Sequence, residues 1–288
     1  MSQEWVVTAK DQGKKLAELL ALYGRLSSRK KARRILEQGR CAVNGVVHTF
    51  ASRMMHQGDR ITLSSKNLSV CSFSSSILYE DDWILALNKA PGVSVETLEQ
   101  QSGSLLVHRL DKETSGILLL AKSKVVREQF ISLFRKREVV KYYLALVDRV
   151  VPPKGVVEEP LSFGKRLGSQ IYWKVDSQGK PSRTVFRRLH NSTCASCVLV
   201  QPQTGRTHQI RVHFSCRGNP ILGDYQYGRQ FDCALRPTRH QLHAWKLCCA
   251  HPILKQDLVL TASLFDDMLF SIEELFGADR LSSILEGS

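Results

Sequence analysis

No stretch of the 288 residues approaches the ~20 consecutive apolar positions that cross a bilayer. The opening segment MSQEWVVTAK carries no apolar signal region. Both absences argue against a spanning or secreted chain. Cysteine is sparse, with eight residues, too few for a disulfide scaffold, so reduced thiols and a cytoplasmic location are expected. Cys194-Ala-Ser-Cys197 has the spacing used by redox and zinc sites, but no second CxxC accompanies it and Cys248-Cys249 is adjacent. No internal repeat or coiled-coil period runs through the chain. Acidic residues are also few, 27 against 41 Lys and Arg, leaving a net charge of +14 and a pI near 9.6. That imbalance calls for a polyanionic partner, and nucleic acid is favoured over a membrane surface.

What is present is a globular composition, 43% hydrophobic and 24% charged, over a length that suggests about two domains. Residues 1–64 hold twelve Lys or Arg against five Asp or Glu, which is half the net charge in under a quarter of the length. Leu16, Leu19, Leu20 and Tyr23 recur at helical spacing, and Gly24 is placed to end that helix. Ser27 or Ser28 can cap a second helix carrying Arg29, Lys30, Lys31, Arg33 and Arg34, with Ala32, Ile35 and Leu36 on its apolar side and Gly39 at its end. Cys41–Val43 and Val46–His48 flank Asn44-Gly45, the pair suited to a type I′ hairpin turn. The five cations fit a solvated helix face or an RNA contact. RNA is the reading adopted, because like charges with no acidic residue until Glu37 repel one another and a phosphate backbone relieves that.

Seven of the thirteen residues from Ser64 to Ser76 are serine, so a linker is expected at 65–76, between a basic unit at 1–64 and a larger domain at 77–288. In the larger domain, Ile77–Glu80 and Ile84–Asn88 read as a hairpin and Ile117–Ala121 as a buried strand. Ser123 caps a helix with Val126, Phe130, Leu133 and Phe134 at core spacing. Strands follow around Tyr142–Val147, Thr184–Leu189, Cys197–Gln201 and Leu258–Ala262, with helices at Thr207–Arg217 and Asp266–Phe276. Hairpin-rich order without regular strand–helix alternation predicts an α+β domain with a largely antiparallel mixed β-sheet flanked by helices, beside a small N-terminal α/β unit.

Three stretches carry the chemistry. His108 to Gly116, HRLDKETSG, puts Asp111 on a polar turn before the apolar run Ile117–Leu120; Lys141 to Val147 reads KYYLALV; Thr204 to Phe214 reads TGRTHQIRVHF. Alone, Asp111 fits a turn residue, Tyr143 a core ring and Arg211 a surface position on an amphipathic helix. In this order the three strings resemble the motifs of the RluA family of pseudouridine synthases. The helix, basic helix and VNG hairpin over Lys14 to Leu63 resemble the RNA-binding domain first named from ribosomal small-subunit protein four.

The resemblance implies a reaction that detaches uracil from its sugar, turns it and rejoins the sugar to ring carbon five. Such a reaction needs a carboxylate and a dry pocket, and no redox cofactor. It implies Asp111 as catalytic carboxylate, Arg211 as the cation that holds it ionised, and Tyr143 against the flipped base. Tyr143 is selected over Tyr142 because it lies two positions after Lys141, and alternation along a strand turns Tyr142 to the other face. It also implies that Arg109 fills the space the base leaves, although ordinary phosphate binding suits that arginine as well. Arg206, at the start of the expected helix, is unfavourable against the helix dipole and is read as facing phosphate. Ribosomal RNA is favoured as partner over transfer RNA, with no membrane and no obligate protein partner. Gly179–Thr184, Asn219–Asp224 and His240–Ala244 look like secondary signatures, whereas the fifteen residues between Gly92 and His108 are fewer than is usual in the family.

Two other readings compete. A metal-dependent hydrolase could draw on His108, Asp111, His208 and His213, but His208 and His213 are five apart, about 140° on a helix, and no metal site is expected. An RNA-binding or ribosome-assembly factor with an inactive synthase domain fits the basic N-terminal unit, but not the joint presence of Asp111, Tyr143 and Arg211.

Overall fold

The computed structural model divides into two units, residues 1–76 and 77–288. It describes all residues except 1, 38–39, 45, 48–50, 52–54, 56, 65–76, 169, 229 and 281–288. The expected linker, and Gly39, Gly45 and His48, lie outside the described residues.

The first unit contains β1 (Ser2–Val6), α1 (Leu16–Tyr23), α2 (Arg29–Glu37), β2 (Cys41–Val43), β3 (Val46–Val47) and β4 (Arg60–Ser64). Its strands form an antiparallel sheet in the order β1-β4-β2-β3. Leu16, Leu19 and Leu20 from α1 pack with Ala32, Ile35 and Leu36 from α2 against Val43, Ile61 and Leu63 of the sheet. α1 stops at Gly24, whose N–H reaches the Leu20 carbonyl, and the Ser28 hydroxyl accepts the Lys31 N–H at 3.2 Å to start α2. Asn44 has a φ of 52°, as the tight hairpin turn requires. Buried Asp11 ties this corner together, accepting from Thr8 at 2.7 Å, from Lys14 at 2.9 Å and from the Tyr23 hydroxyl. The Tyr23 hydrogen bond, aided by those from Lys14 and Thr8, holds the Asp11 carboxyl well below the usual carboxylate range.

The second unit runs β5 (Ile77–Glu80), β6 (Ile84–Lys89), α3 (Val95–Ser102), β7 (Leu105–Leu106), β8 (Ser115–Ala121), α4 (Lys124–Lys136), β9 (Val140–Asp148), β10 (Lys154–Val157), β11 (Leu161–Leu167) and β12 (Gln170–Val175). It continues with β13 (Thr184–Asn191), β14 (Ala195–Pro202), α5 (Gln209–Cys216), β15 (Leu242–Ala250), β16 (Asp257–Thr261) and α6 (Asp266–Phe276). The main sheet follows the order β10-β13-β14-β9-β15-β8-β6-β5, with β16 added to β15 and β7 to β8. Its described pairings are antiparallel except β15 with β8. β11 and β12 form a separate antiparallel hairpin.

Alternation along the central strand β9 sets the layers. Ala145 and Val147 pack with Ile210 and Phe214 of α5, while Leu144 and Leu146 pack with Met268 and Ile272 of α6. Tyr143 joins the first cluster and Tyr142 the second, so the two rings do face opposite ways. A third cluster lays Val126 and Phe130 of α4 over Ile84, Ile117 and Leu119. Each fully buried side chain of this size is worth about 1.5–3 kcal/mol of transfer energy. The parallel contact of β8 with β15 has a strict local condition: Gly116 sits at φ +105°, and a Cβ there would lie 2.2 Å from the Ala244 carbonyl oxygen. Among the described residues no helix is long and apolar enough to cross a membrane.

Candidate active site

Asp111 opens the turn that delivers the chain into β8, and almost every group around it is anchored. The turn closes with the Thr114 N–H donating to the Asp111 carbonyl at 3.0 Å. Thr114 and Ser115 hydroxyls pair with His240 at 2.8 Å and His243 at 2.9 Å, and Arg239 donates to the Glu113 carbonyl at 3.1 Å. On the approach side, partly buried His108 accepts the Leu119 N–H at 3.0 Å; desolvation pulls its pKa down to about 3, so it stays a neutral acceptor. Lys89, at the end of β6, reaches the carbonyls of Ala90 and Val93 at 3.0 Å and of Lys112 at 2.9 Å. Burial pulls this amine down to about 7. In its ammonium form Lys89 gives each of the three carbonyls an N–H, which works against that pull.

Arg211 leaves α5 beneath this turn and is 5% exposed. Its Nε and Nη2 grip Asp224 at 2.8 and 2.9 Å, Nη2 also reaches Gln226 Oε1 at 2.7 Å, and Nη1 donates to Asp111 Oδ2 at 2.8 Å. The Tyr227 ring lies 5.0 Å from the guanidinium carbon. Burial opposes the arginine's charge, but the Asp224 pair and Asp111 more than offset it and raise the pKa above its ordinary value. One buried cation is thus shared by two carboxylates: Asp224 is buried, whereas the Asp111 side chain keeps 24% of its surface open. Asp224 follows Gly223, whose φ of +78° and close approach to the Arg239 carbonyl require a residue without Cβ.

Tyr143 projects from β9 beside this group; burial first, and then the negative charge of Asp111, raise its phenol well above the ordinary value. Arg109 is not idle, since its Nη2 contacts Glu96 of α3 at 2.5 Å, but that pair is largely exposed. Arg206 is half-buried and donates through Nε to the Pro181 carbonyl at 3.2 Å.

The expected helix at Thr207–Arg217 is shorter at both ends. It begins at Gln209 because His208 takes a left-handed conformation, φ 54°, and the Gln209 side chain turns back to the Arg206 N–H at 3.0 Å. The 140° separation of His208 from His213 therefore has no meaning here. The two histidines part for another reason: His208 approaches Asp111, whereas His213 bonds Thr184, Ser182 and the Glu159 carbonyl. Among the described residues no group of three His, Cys, Asp or Glu side chains is placed to hold a metal ion. The buried Cys197 thiol is pushed up to about 12, far from thiolate chemistry.

The RNA pseudouridylate synthase family matches residues 87–216. Over 267 residues the chain is 34% identical to the ribosomal large subunit pseudouridine synthase C of Pasteurella multocida (strain Pm70), covering 86% of this chain and 80% of that one. It is 32% identical over 286 residues to the enzyme of the same name from Vibrio vulnificus (strain CMCP6), covering 92% and 89%. The chain belongs to the RluA family of RNA pseudouridine synthases. A synthase D from Nitrosomonas europaea is 35% identical over 217 residues, 67% of this chain but 62% of that protein's length. The solved structure of human RNA pseudouridylate synthase domain containing 1 superposes with a TM-score of 0.59 at 30% identity, covering 74% of this chain and 95% of that one.

For a synthase of this family, sequence reasoning missed the second carboxylate on Arg211. Asp224 stood inside a stretch singled out as a family signature, yet nothing local marks it as the partner of a residue thirteen positions earlier. It also left Gln226, Tyr227 and the Glu96 partner of Arg109 unassigned. In the N-terminal unit Arg29, Lys30, Lys31, Arg33 and Arg34 are all exposed on α2. Arg29 does have an acidic neighbour, Glu18 of α1 at 3.4 Å, supplied by the fold rather than by its own helix.

Proposed function

We propose that this synthase converts uridine to pseudouridine in large-subunit ribosomal RNA, with Asp111 as the essential carboxylate. The observation that carries the reading is the 2.8 Å contact of Asp111 Oδ2 with Arg211, an arginine already gripped by buried Asp224 while the rest of Asp111 remains open to a substrate. Uridine in folded RNA hides its glycosidic bond, so the base must leave the stack before a carboxylate meets it. Asp111 then acts at the sugar or base as the N1–C1′ bond breaks. The C5–C1′ bond forms on the turned ring, the C5 proton is lost, and N1, freed from the sugar, takes up a proton. The isomer has the atoms of the substrate, so no redox partner enters the balance. Arg211 keeps Asp111 oriented, Tyr143 packs against the extruded ring, and Arg109 exchanges Glu96 for the opened strand.

The N-terminal unit is assigned to holding RNA through Lys30, Lys31, Arg33 and Arg34, with Arg29 and Arg206 as further phosphate contacts. Ribosomal RNA is chosen because the relatives described above are named for the large subunit. Mapping pseudouridine in total RNA from cells with and without the gene tests this. Loss at one or a few large-subunit sites is expected; loss confined to transfer RNA, or no loss, would overturn the assignment.

A further inference from the structure

Arg211 fixes one oxygen of Asp111, and the other oxygen faces His208. The His208 Nε2 lies 3.7 Å from Asp111 Oδ1, and its Nδ1 lies 2.7 Å from the Tyr227 hydroxyl. That hydroxyl also accepts the Trp173 N–H of β12 at 2.9 Å. The Trp173 amide donates to this oxygen, and the phenol's one proton is assigned to His208 Nδ1, the other partner within hydrogen-bond reach. A neutral imidazole that accepts at Nδ1 carries its own hydrogen on Nε2, the atom turned toward Asp111. Burial, and then the nearby Arg211 charge, lower the His208 pKa, opposed by Asp111 and Asp224, so the neutral ring is the resting form.

We propose that His208 is a positioning residue for the reaction, its Nε2–H closing the 3.7 Å gap to Asp111 Oδ1 when RNA binds. Trp173, Tyr227 and His208 form one directed series of donors that ends on the carboxylate. On the other oxygen, Arg211 donates to Asp111 and also to Gln226, whose Nε2 donates on to the Ile171 carbonyl of the same strand at 2.7 Å, so the guanidinium is braced rather than fed by a donor series. Asp111 is thereby aimed from both oxygens, and both supports are seated on the β11–β12 hairpin. The left-handed backbone at His208 serves this placement, because a residue continuing α5 by one more turn would point elsewhere. The inference rests on Asp111 being the reactive carboxylate.

The test uses the full chain and two substitutions that share the backbone strain of this position. His208→Gln keeps a donor near the place of Nε2; His208→Leu keeps bulk without one. At saturating RNA in single turnover, His208→Leu should slow the chemical step ~10-fold or more with affinity within about twofold, and His208→Gln should recover most of the rate. Nitrogen-15 spectra of histidine-labelled wild-type protein, with the His208 signal identified by its loss in His208→Gln, should show Nε2 protonated and Nδ1 bare. A wild-type rate for His208→Leu, equal slowing by both variants, or a hydrogen on Nδ1 would each overturn the proposal. If Asp111→Asn still makes product, the reading of the site fails; if Asp111→Asn is inactive and His208→Leu is not, only the role of His208 fails.

Discussion

The turn at Asp111 and the helix α2 both carry the charge that defines them, and they hold it in opposite ways. At the turn, Asp111, Arg211, Asp224 and Lys89 each have named partners within 3.0 Å, and three of the four are buried. On α2, five cations stand in solvent over an apolar underside of Ala32, Ile35 and Leu36. Charges fixed in a buried lattice act by geometry, and removing one leaves its partners stranded. Charges on a solvated helix act by number, and each contributes a small, salt-screened share. The first arrangement suits a chemical step, the second suits retention of a polyanion.

Breaking the comparison begins at the buried end. Asp111→Asn keeps the shape and removes the charge, and product should disappear in single turnover. Arg211→Ala strands Asp224 in the interior and frees Asp111, so activity should fall by ~10²-fold or more and unfolding should come ~3–5 kcal/mol sooner. Arg211→Lys keeps the charge but cannot fork between two carboxylates, and should rescue stability more than rate. Turnover and denaturant melts on the same preparations check both.

Lys89→Met removes the tie between the Ala90–Val93 turn and Lys112, leaving three carbonyls without their donor. A loss of several kcal/mol in stability, on the order of 3, is expected, with rate falling as the Asp111 turn loosens. Because burial lowers the Lys89 pKa to about 7, below its unfolded value near 10.5, folding disfavours its proton. This group therefore costs stability progressively as pH falls from the unfolded value toward 7, with no further change below that. Lys89→Met should remove that component from a stability profile across about pH 7–10.

At the exposed end effects shrink. Arg109→Ala should leave stability within about 0.5 kcal/mol, since an exposed ion pair with Glu96 is worth little, yet it should slow modification wherever the flipped base must be replaced in the stack. Single replacements among Lys30, Lys31, Arg33 and Arg34 should each cost little affinity, and the log-log salt slope should flatten by about one unit for every phosphate left unneutralised. Binding titrations at several salt concentrations read both quantities.

How much of this could be read from residues alone follows the same division. Elements with a local signature were legible. α6 runs Asp266–Phe276 as its spacing requires, Ser123 caps α4 through the Val126 N–H, and Asn44 turns the β2–β3 hairpin. The β11–β12 hairpin was not, because FGKRLG and its partner strand carry charges and exposed apolar residues without the alternation that marks a half-buried strand. α3 was missed for its short, polar sequence, VETLEQQS. Asp111 and Arg211 were paired through family resemblance, one hundred residues apart, and the fold brings them together. Asp224, Gln226, Tyr227 and His208 gained their places only from tertiary contacts, and His208 from a left-handed backbone that no local residue preference forecasts.

The central claim is that chemistry and retention of RNA reside in these two differently built regions. The direct measurement takes one large-subunit RNA fragment and follows single-turnover pseudouridine formation and affinity across a salt series. Two proteins are compared with wild type: Asp111→Asn, and a variant with Lys30, Lys31, Arg33 and Arg34 all changed to Gln. Asp111→Asn should bind with the wild-type affinity and salt slope and form no product, while the fourfold variant should bind weakly with a flattened slope and react at the wild-type rate once saturated. Product from Asp111→Asn, or a saturated rate that collapses in the folded fourfold variant, would contradict the account.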